Sequence, residues 1–295
     1  MTDVAAIPQD AALRIWRRMA TIRAADEHLG RGLGAGELRF AYYGIRGQEA
    51  IPSVLCERLD PGDRLVTTYR NLHDAIAKGV PLEELFGEYL GRRTGTSGGK
   101  GGPMHLSDPA HGLMATSGVV GGGVPIAVGL GLAASLTGSG RVAVASFGDG
   151  AMNIGAVHES LNLAAVWDLP VVFCCQRNGW GEHTRYEETT RTARLAERVS
   201  AYGMAAVTVD GLSVGALWDA FGDAVGRARG GGRGGRRRRD RGVGRGCRGR
   251  RARRRARRAG AERRRAAHGR AAWLRSRCRG RSTRPWTRRW RPIRP

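Results

Sequence analysis

The stretch VAVASFGDGAMNIGAVHESLNLAAVWDLPVVFCCQRNGW, Val142 to Trp180, decides the fold. Val142 to Phe147 is a short apolar run, Ile154 to Trp167 has helical periodicity, and Val171 to Cys175 is apolar again. Strand, helix, strand at this spacing is the βαβ unit of a parallel sheet, because parallel strands need a crossover. The first strand ends in Gly148-Asp149-Gly150 and the second in Gln176-Arg177-Asn178-Gly179-Trp180. In a doubly wound sheet these carboxyl ends are where ligands bind. Adjacent strands lie about 5 Å apart, so the Asp149 carboxylate and the Asn178 amide oxygen can converge on one cation. Magnesium takes hard oxygens of this kind and keeps water and substrate phosphate beside them. A main-chain carbonyl near Trp180, two diphosphate oxygens and a water would complete an octahedral set. Gly148 and Gly150 let a diphosphate approach the backbone, and a helix beginning near Asn153 would offer it amides. Gly-Asp-Gly and Asn-Gly are each ordinary turn sequences. Their joint placement at the ends of two strands joined by one helical crossover is what points to a site.

Outward from this unit the pattern stays α/β. Leu13, Trp16, Ala20 and Ile22 recur at helical spacing, which predicts an amphipathic opening helix from Asp10 with those residues inward. Pro52 to Leu59 and Pro81 to Leu90 read as helices begun by proline, and the glycines from Thr94 to Gly102 mark a loop. A helix is expected near Arg191 to Tyr202, a strand over Ala206 to Val209 and a helix over Val214 to Ala228. The fold class is α/β, a doubly wound parallel sheet.

Charge divides the chain in two. Of its 50 basic and 26 acidic residues, 22 and 24 fall in residues 1–229, leaving 28 and 2 in the 66 residues 230–295. The first segment is nearly neutral and long enough for a domain with a full core. The second holds arginine without lysine, among glycine, alanine, proline and tryptophan, and too few core-forming residues to fold. It is expected to be a disordered tail. Arginine-glycine runs such as Gly231 to Gly235 bind RNA without sequence preference, so nucleic acid is expected as a partner only through this tail. Cys56, Cys174 and Cys175 lack paired spacing and are read as buried thiols of a reducing compartment. Residues 1–10 lack the basic and apolar pattern of a signal peptide, which makes the cytoplasm the expected location. The uncharged run Gly118 to Leu136 carries six glycines and a proline and is a poor membrane span.

The run Gly148 to Asn153, then His158 to Pro170, then Asn178, resembles the alpha subunit of the thiamine diphosphate-dependent decarboxylating component of 2-oxo acid dehydrogenases, the family of the pyruvate, branched-chain and acetoin enzymes. Gly47-Gln48-Glu49-Ala50, Thr68-Tyr69-Arg70, Gly99 to His105, Gly118 to Gly121 and Ala201-Tyr202-Gly203 follow the same pattern in the same order. The resemblance covers Ala11 to Arg229. Gly47-Gln48-Glu49 and Ala164 to Trp167 favour it over a transketolase-like thiamine enzyme.

The resemblance implies oxidative decarboxylation of a 2-oxo acid, pyruvate first, with acyl transfer to a lipoyl group; acetoin is the alternative substrate. It implies thiamine diphosphate and Mg2+ as cofactors. It also implies a beta subunit in an alpha2 beta2 heterotetramer, which supplies the activating glutamate, and a lipoyl acyltransferase. Position by position, Tyr69 and Arg70 match the pair that binds the diphosphate, and Gly118 and Val120 match residues whose main chain meets the aminopyrimidine. Gly150 and Ala151 match the amides at the diphosphate, and Asp149, Asn178 and the Trp180 carbonyl match the metal ligands. His73 stands near a histidine that faces the substrate, and His105 is expected only to order its loop.

Three departures stand out. Arg177 replaces a common asparagine, and a cation so close to a metal should point away or weaken the site. Gly121 to Gly123 is a run of three glycines before a small-residue helix. The family continues past Arg229 with a strand and a loop containing Gly-His-Ser, whereas His268 here lacks that context. Arginine, glycine, alanine, proline and tryptophan share GC-rich codons, so the tail reads as a shifted frame, and one sheet edge is expected to stay unpaired. An inactive chain that binds polyanions through this tail is the alternative function.

Overall fold

The computed structural model describes residues 7–230 and 272–277. In chain order the elements are α1 (Gln9–Gly34), α2 (Ala50–Glu57), β1 (Arg64–Thr68), α3 (Leu72–Lys78), α4 (Leu82–Tyr89), β2 (Leu113–Ser117), α5 (Gly123–Thr137) and β3 (Ala143–Gly148). A 3-10 turn (Asp149–Asn153) leads to α6 (Gly155–Val166), β4 (Val171–Arg177), β5 (Trp180–Gly181), β6 (Thr184–Arg185), α7 (Tyr186–Thr189), α8 (Leu195–Ser200), β7 (Ala205–Asp210), α9 (Val214–Gly230) and β8 (Ala272–Arg277). Six strands form one sheet in the order β2-β1-β3-β4-β8-β7, and β5 pairs with β6 in a separate hairpin. Every neighbouring pair in the large sheet is parallel.

The central strands β3 and β4 are apolar along most of their length because both of their faces are covered. Val144, Val172 and Cys174 pack into one core with Ile22 and Leu29 of α1, Val54 and Leu55 of α2, and Phe221 of α9. Ala145, Phe147, Val171, Phe173 and Cys175 face the other core, against Val124 and Val128 of α5 and Val157 and Leu161 of α6. Alternate residues thus bury on opposite sides, which is the doubly wound arrangement. The three cysteines of this region, Cys56, Cys174 and Cys175, are buried as expected, and burial pushes the Cys56 thiol up to about 12. Among the described residues no helix is long and apolar enough to cross a membrane.

Four expectations are corrected. Helix α1 buries Ala11, Ile15, Ile22, Ala25 and Leu29, whereas Leu13 and Trp16 are 50% and 65% exposed; of the predicted inward set only Ile22 is buried. The turn at Asp149–Asn153 is 3-10, and α6 starts two residues later than Asn153. The amides beside Asp149 are therefore those of the tight turn. Strands β1 and β2 were not anticipated, because each is five residues long and carries half-buried positions. Finally, the tail contributes β8, which lies between β4 and β7 with Val172 paired to Ala272 and Ala205 paired to Ala272. Strand β4 is buried on both faces, so the backbone groups along its outer edge require a partner strand. The predicted unpaired edge is filled there. The remaining tail positions, His268 among them, lie outside the described residues.

Candidate functional site

The carboxyl ends of β1, β3 and β4 and the turn after β2 surround a cavity of about 550 Å³. Its position follows from register: Gly148 of β3 pairs with Gln176 of β4, so Asp149 and Arg177 emerge side by side. Tyr69, Arg70, His73, Val120, Gly150, Ala151, Asn178 and Trp180 line it. Of the residues singled out from sequence, Gly118 lies just outside this lining, beside Val119 and Val120, and Asp149 sits behind it.

Asp149 is 1% exposed. Its Oδ2 accepts the Gly179 N–H at 3.1 Å, while Oδ1 is buried with no hydrogen-bond partner. Burial raises this carboxyl above the ordinary aspartate value, against the opposing pull of Gly179 and Arg177. A buried carboxylate oxygen without a donor is costly unless a ligand completes it. The Asn178 Oδ1 accepts the Trp180 N–H at 2.9 Å, which folds the amide over its own turn and leaves one lone pair of that oxygen. Gly150 keeps the turn close to β5: a Cβ there would stand 3.1 Å from the Gly181 Cα, and the hairpin would have to give by a few tenths of an ångström. Among the described residues no three His, Cys, Asp or Glu side chains group as metal ligands. A cation held by Asp149 would take amide, carbonyl and ligand oxygens for the rest, as magnesium does with phosphate ligands.

The opposite wall is Tyr69 and Arg70, at the end of β1. Tyr69 N–H donates to Ser117 O at 3.0 Å, and the Tyr69 ring meets Tyr43 edge-on at 4.7 Å. Arg70 Nη1 donates to Gly44 O at 3.2 Å, leaving other guanidinium donors for an anion. Asn71, the next residue, is clamped: its Nδ2 donates to Pro103 O at 2.8 Å and its Oδ1 accepts the Tyr89 hydroxyl at 2.7 Å.

That clamp depends on the glycine-rich loop, which wraps a buried carboxylate. Glu88 Oε2 accepts N–H groups from Ser97 and Gly99 at 2.8 and 2.9 Å, and Oε1 accepts those of Gly101 and Gly102 at 2.6 and 3.1 Å. Burial alone would raise its pKa, but the four amides outweigh burial and lower it. Gly101 permits this wrapping, since a Cβ would come 2.3 Å from His105 O. The loop then returns through Met104, whose carbonyl accepts the Thr116 hydroxyl at 2.8 Å on β2. His105 lies against Gly118 and not in the cavity lining.

The cavity floor is a chain of buried polar groups. His73 Nε2 meets Gln176 Oε1 at 3.0 Å, Gln176 Nε2 donates to the Ser146 hydroxyl at 2.8 Å, and Ser146 donates to Asp74 Oδ2 at 3.1 Å. Thr67 donates to the same oxygen. Because the Gln176 amide nitrogen is committed to Ser146, its oxygen faces His73, which places the His73 proton on Nε2. The buried Nδ1 has no partner. Sequence reasoning did not assign Tyr43, Gln48, Ser146, Gln176, Glu182 and His183 to the site, yet all line the cavity. For Ser146 and Gln176 a signal existed: each is a polar interruption near the carboxyl end of an apolar central strand, and buried polar groups need partners.

Comparison with known proteins gives the family of the chain. The model of the family described as dehydrogenase E1 component matches residues 17–234. The alpha subunit of acetoin:2,6-dichlorophenolindophenol oxidoreductase from Bacillus subtilis is 39% identical over 214 residues, covering 72% of this chain and 64% of that protein. Its counterpart from Cupriavidus necator is 39% identical over 222 residues, covering 75% and 67%. The pyruvate dehydrogenase E1 component subunit alpha of Zymomonas mobilis is 36% identical over 207 residues, covering 70% and 58%. The chain thus spans somewhat under two thirds of the Bacillus subtilis relative. With three quarters of its length matched by one family model, the chain belongs to the dehydrogenase E1 component family.

Proposed function

We propose that this chain is the alpha subunit of a cytoplasmic, thiamine diphosphate- and Mg2+-dependent 2-oxo acid dehydrogenase component. Pyruvate is the substrate, a beta subunit completes an alpha2 beta2 assembly, and a lipoyl acyltransferase receives the acyl group. The observation that carries this reading is Asp149, buried at the end of β3 with Oδ1 unpartnered, in a turn whose Gly150 and Ala151 line the same cavity as Tyr69 and Arg70. One carboxylate, the Asn178 amide oxygen and the Trp180 main-chain carbonyl form a donor set that fits a hard cation sharing phosphate oxygens. Tyr69, Arg70 and the amides of Gly150 and Ala151 would hold the diphosphate, and the main chain at Gly118 and Val120 would meet the aminopyrimidine. When bound, thiamine diphosphate supplies the carbon nucleophile that no side chain offers. His73, held by Gln176 through Nε2, offers its Nδ1 lone pair to a proton at the cavity floor. The activating glutamate is assigned to no residue of this chain and would come from the beta subunit.

The test is reconstitution. With the beta subunit, thiamine diphosphate and Mg2+, pyruvate should drive reduction of an artificial acceptor dye, and the chain alone should show none. Turnover by the chain alone, or none in the assembly, contradicts the proposal. Acetoin is the second reading, favoured by the two relatives at 39% identity, and the same assay with acetoin in place of pyruvate separates them.

The 28 arginines beyond Arg229 favour a shifted reading frame for the tail, or an inactive chain that binds polyanions through it. Sequencing across the codons for residues 230–233 tests the frame. Co-purification of RNA that is lost at raised salt, without cofactor, would favour the polyanion reading.

A further inference from the structure

Arg177 is the last residue of β4, and its guanidinium is fixed beside the candidate metal ligand. Its Nε lies 3.9 Å from Asp149 Oδ2 and is buried without a hydrogen-bond partner. Its Nη2 donates to Glu187 Oε1 at 3.2 Å, and the guanidinium carbon stands 4.6 Å over the Tyr186 ring. Tyr186 is itself tied, its hydroxyl donating to Thr192 O at 2.7 Å. The arginine is therefore held by its far end and cannot swing clear of Asp149 without losing both contacts.

The two carboxylates around Arg177 differ in weight. Glu187 has a side chain 70% exposed, so water screens its hold on the cation, whereas Asp149 is 1% exposed and feels the arginine with little screening. We propose that Arg177 is a resident counter-cation of Asp149, a positioning residue that weakens binding of a free divalent ion. It thereby makes ion binding depend on a phosphate-bearing ligand arriving with it. The inference rests on the metal reading of Asp149 given above. An ion on Oδ1 would meet a fixed positive charge just beyond the other oxygen of the same carboxylate. A diphosphate brings negative charge that offsets this repulsion, so ion and diphosphate favour each other's binding by the same factor.

The experiment is a titration of the full chain with Mn2+, followed by the paramagnetic resonance of the free ion, with and without thiamine diphosphate. Arg177→Gln should bind Mn2+ alone about tenfold tighter than the parent chain, and the gap should narrow to about twofold once thiamine diphosphate is present. Arg177→Lys keeps the charge and should stay close to the parent, an outcome that packing alone does not produce. Arg177→Met is a second neutral variant in case glutamine disturbs the fold, and it should tighten binding likewise. If the neutral variants bind Mn2+ no tighter than the parent, or lysine tightens it as much as glutamine, the role assigned to Arg177 is wrong. If the parent chain fails to bind Mn2+ even with thiamine diphosphate, or Asp149→Ala binds it equally well, the metal reading falls, and this inference with it.

Discussion

Two of the carboxylates buried in this molecule, Glu88 and Asp149, are treated in opposite ways. Glu88 is fully buried in the last turn of α4, and both of its oxygens are saturated by four backbone N–H groups of the glycine-rich loop. Asp149 is equally buried at the end of β3, but one of its oxygens accepts a single N–H and the other accepts nothing. The Glu88 charge, satisfied by the chain itself, is scaffold, whereas the open oxygen of Asp149, at the turn that lines the cavity, is available to something that comes from outside. The pKa directions agree with this contrast, since the amides lower the Glu88 carboxyl and burial raises that of Asp149.

Breaking the scaffold carboxylate should have the largest effect. Glu88→Ala would strand four loop amides, and a loss of at least about 3 kcal/mol of stability is expected in denaturant titration. Glu88→Gln sharpens the point through pH. A group whose pKa is lower in the folded state contributes stability above its unfolded value, near 4.5 for glutamate, and loses it as pH falls through the folded value. The parent should therefore weaken in acid while Glu88→Gln, already weaker at neutral pH, changes less. Parallel acid limbs in the two proteins would remove Glu88 from that role.

An intermediate effect is expected at the cavity floor. Gln176→Leu leaves Ser146 without its amide donor and the His73 Nε2–H without an acceptor, at a cost of about 2 kcal/mol. With the proton no longer fixed on Nε2, the nitrogen chemical shifts of His73 should show mixed tautomers where the parent shows one. A single unchanged tautomer would mean that Gln176 does not orient the ring.

Smallest is the effect of Asp149→Asn on the chain without ligand. Asparagine still accepts the Gly179 N–H, and it removes a charge that burial disfavours, so stability should rise by up to about 1 kcal/mol. A loss as large as that of Glu88→Ala would make Asp149 scaffold too, and the contrast would collapse.

How much of this was legible without coordinates depended on separation along the chain. The βαβ unit and the Asp149 and Asn178 turns sit within Val142 to Trp180, where periodicity and turn chemistry act locally. The partners of Glu88, by contrast, are backbone amides of Ser97, Gly99, Gly101 and Gly102, up to fourteen residues away, and amides leave no mark in sequence. His73 and Gln176 meet across 103 residues, a contact that no spacing rule predicts. The inward face of α1 was misread because Leu13 and Trp16 are as apolar as Ile15 and Ile22, and only the packing of α2 and α3 decides between them. Strand β8 was missed for a related reason: the demand for it comes from the backbone edge of β4, and the surrounding arginines conceal the six residues that meet it.

The most direct measurement of the central claim is the thermal midpoint of the full chain with its beta subunit, with and without thiamine diphosphate and Mg2+, for the parent and for Asp149→Ala. Ligand at a hundredfold excess over its dissociation constant should raise the parent midpoint by about 5–10 °C. Asp149→Ala should show no rise. An equal rise in both would contradict the assignment of Asp149 as the residue that holds the cofactor's metal.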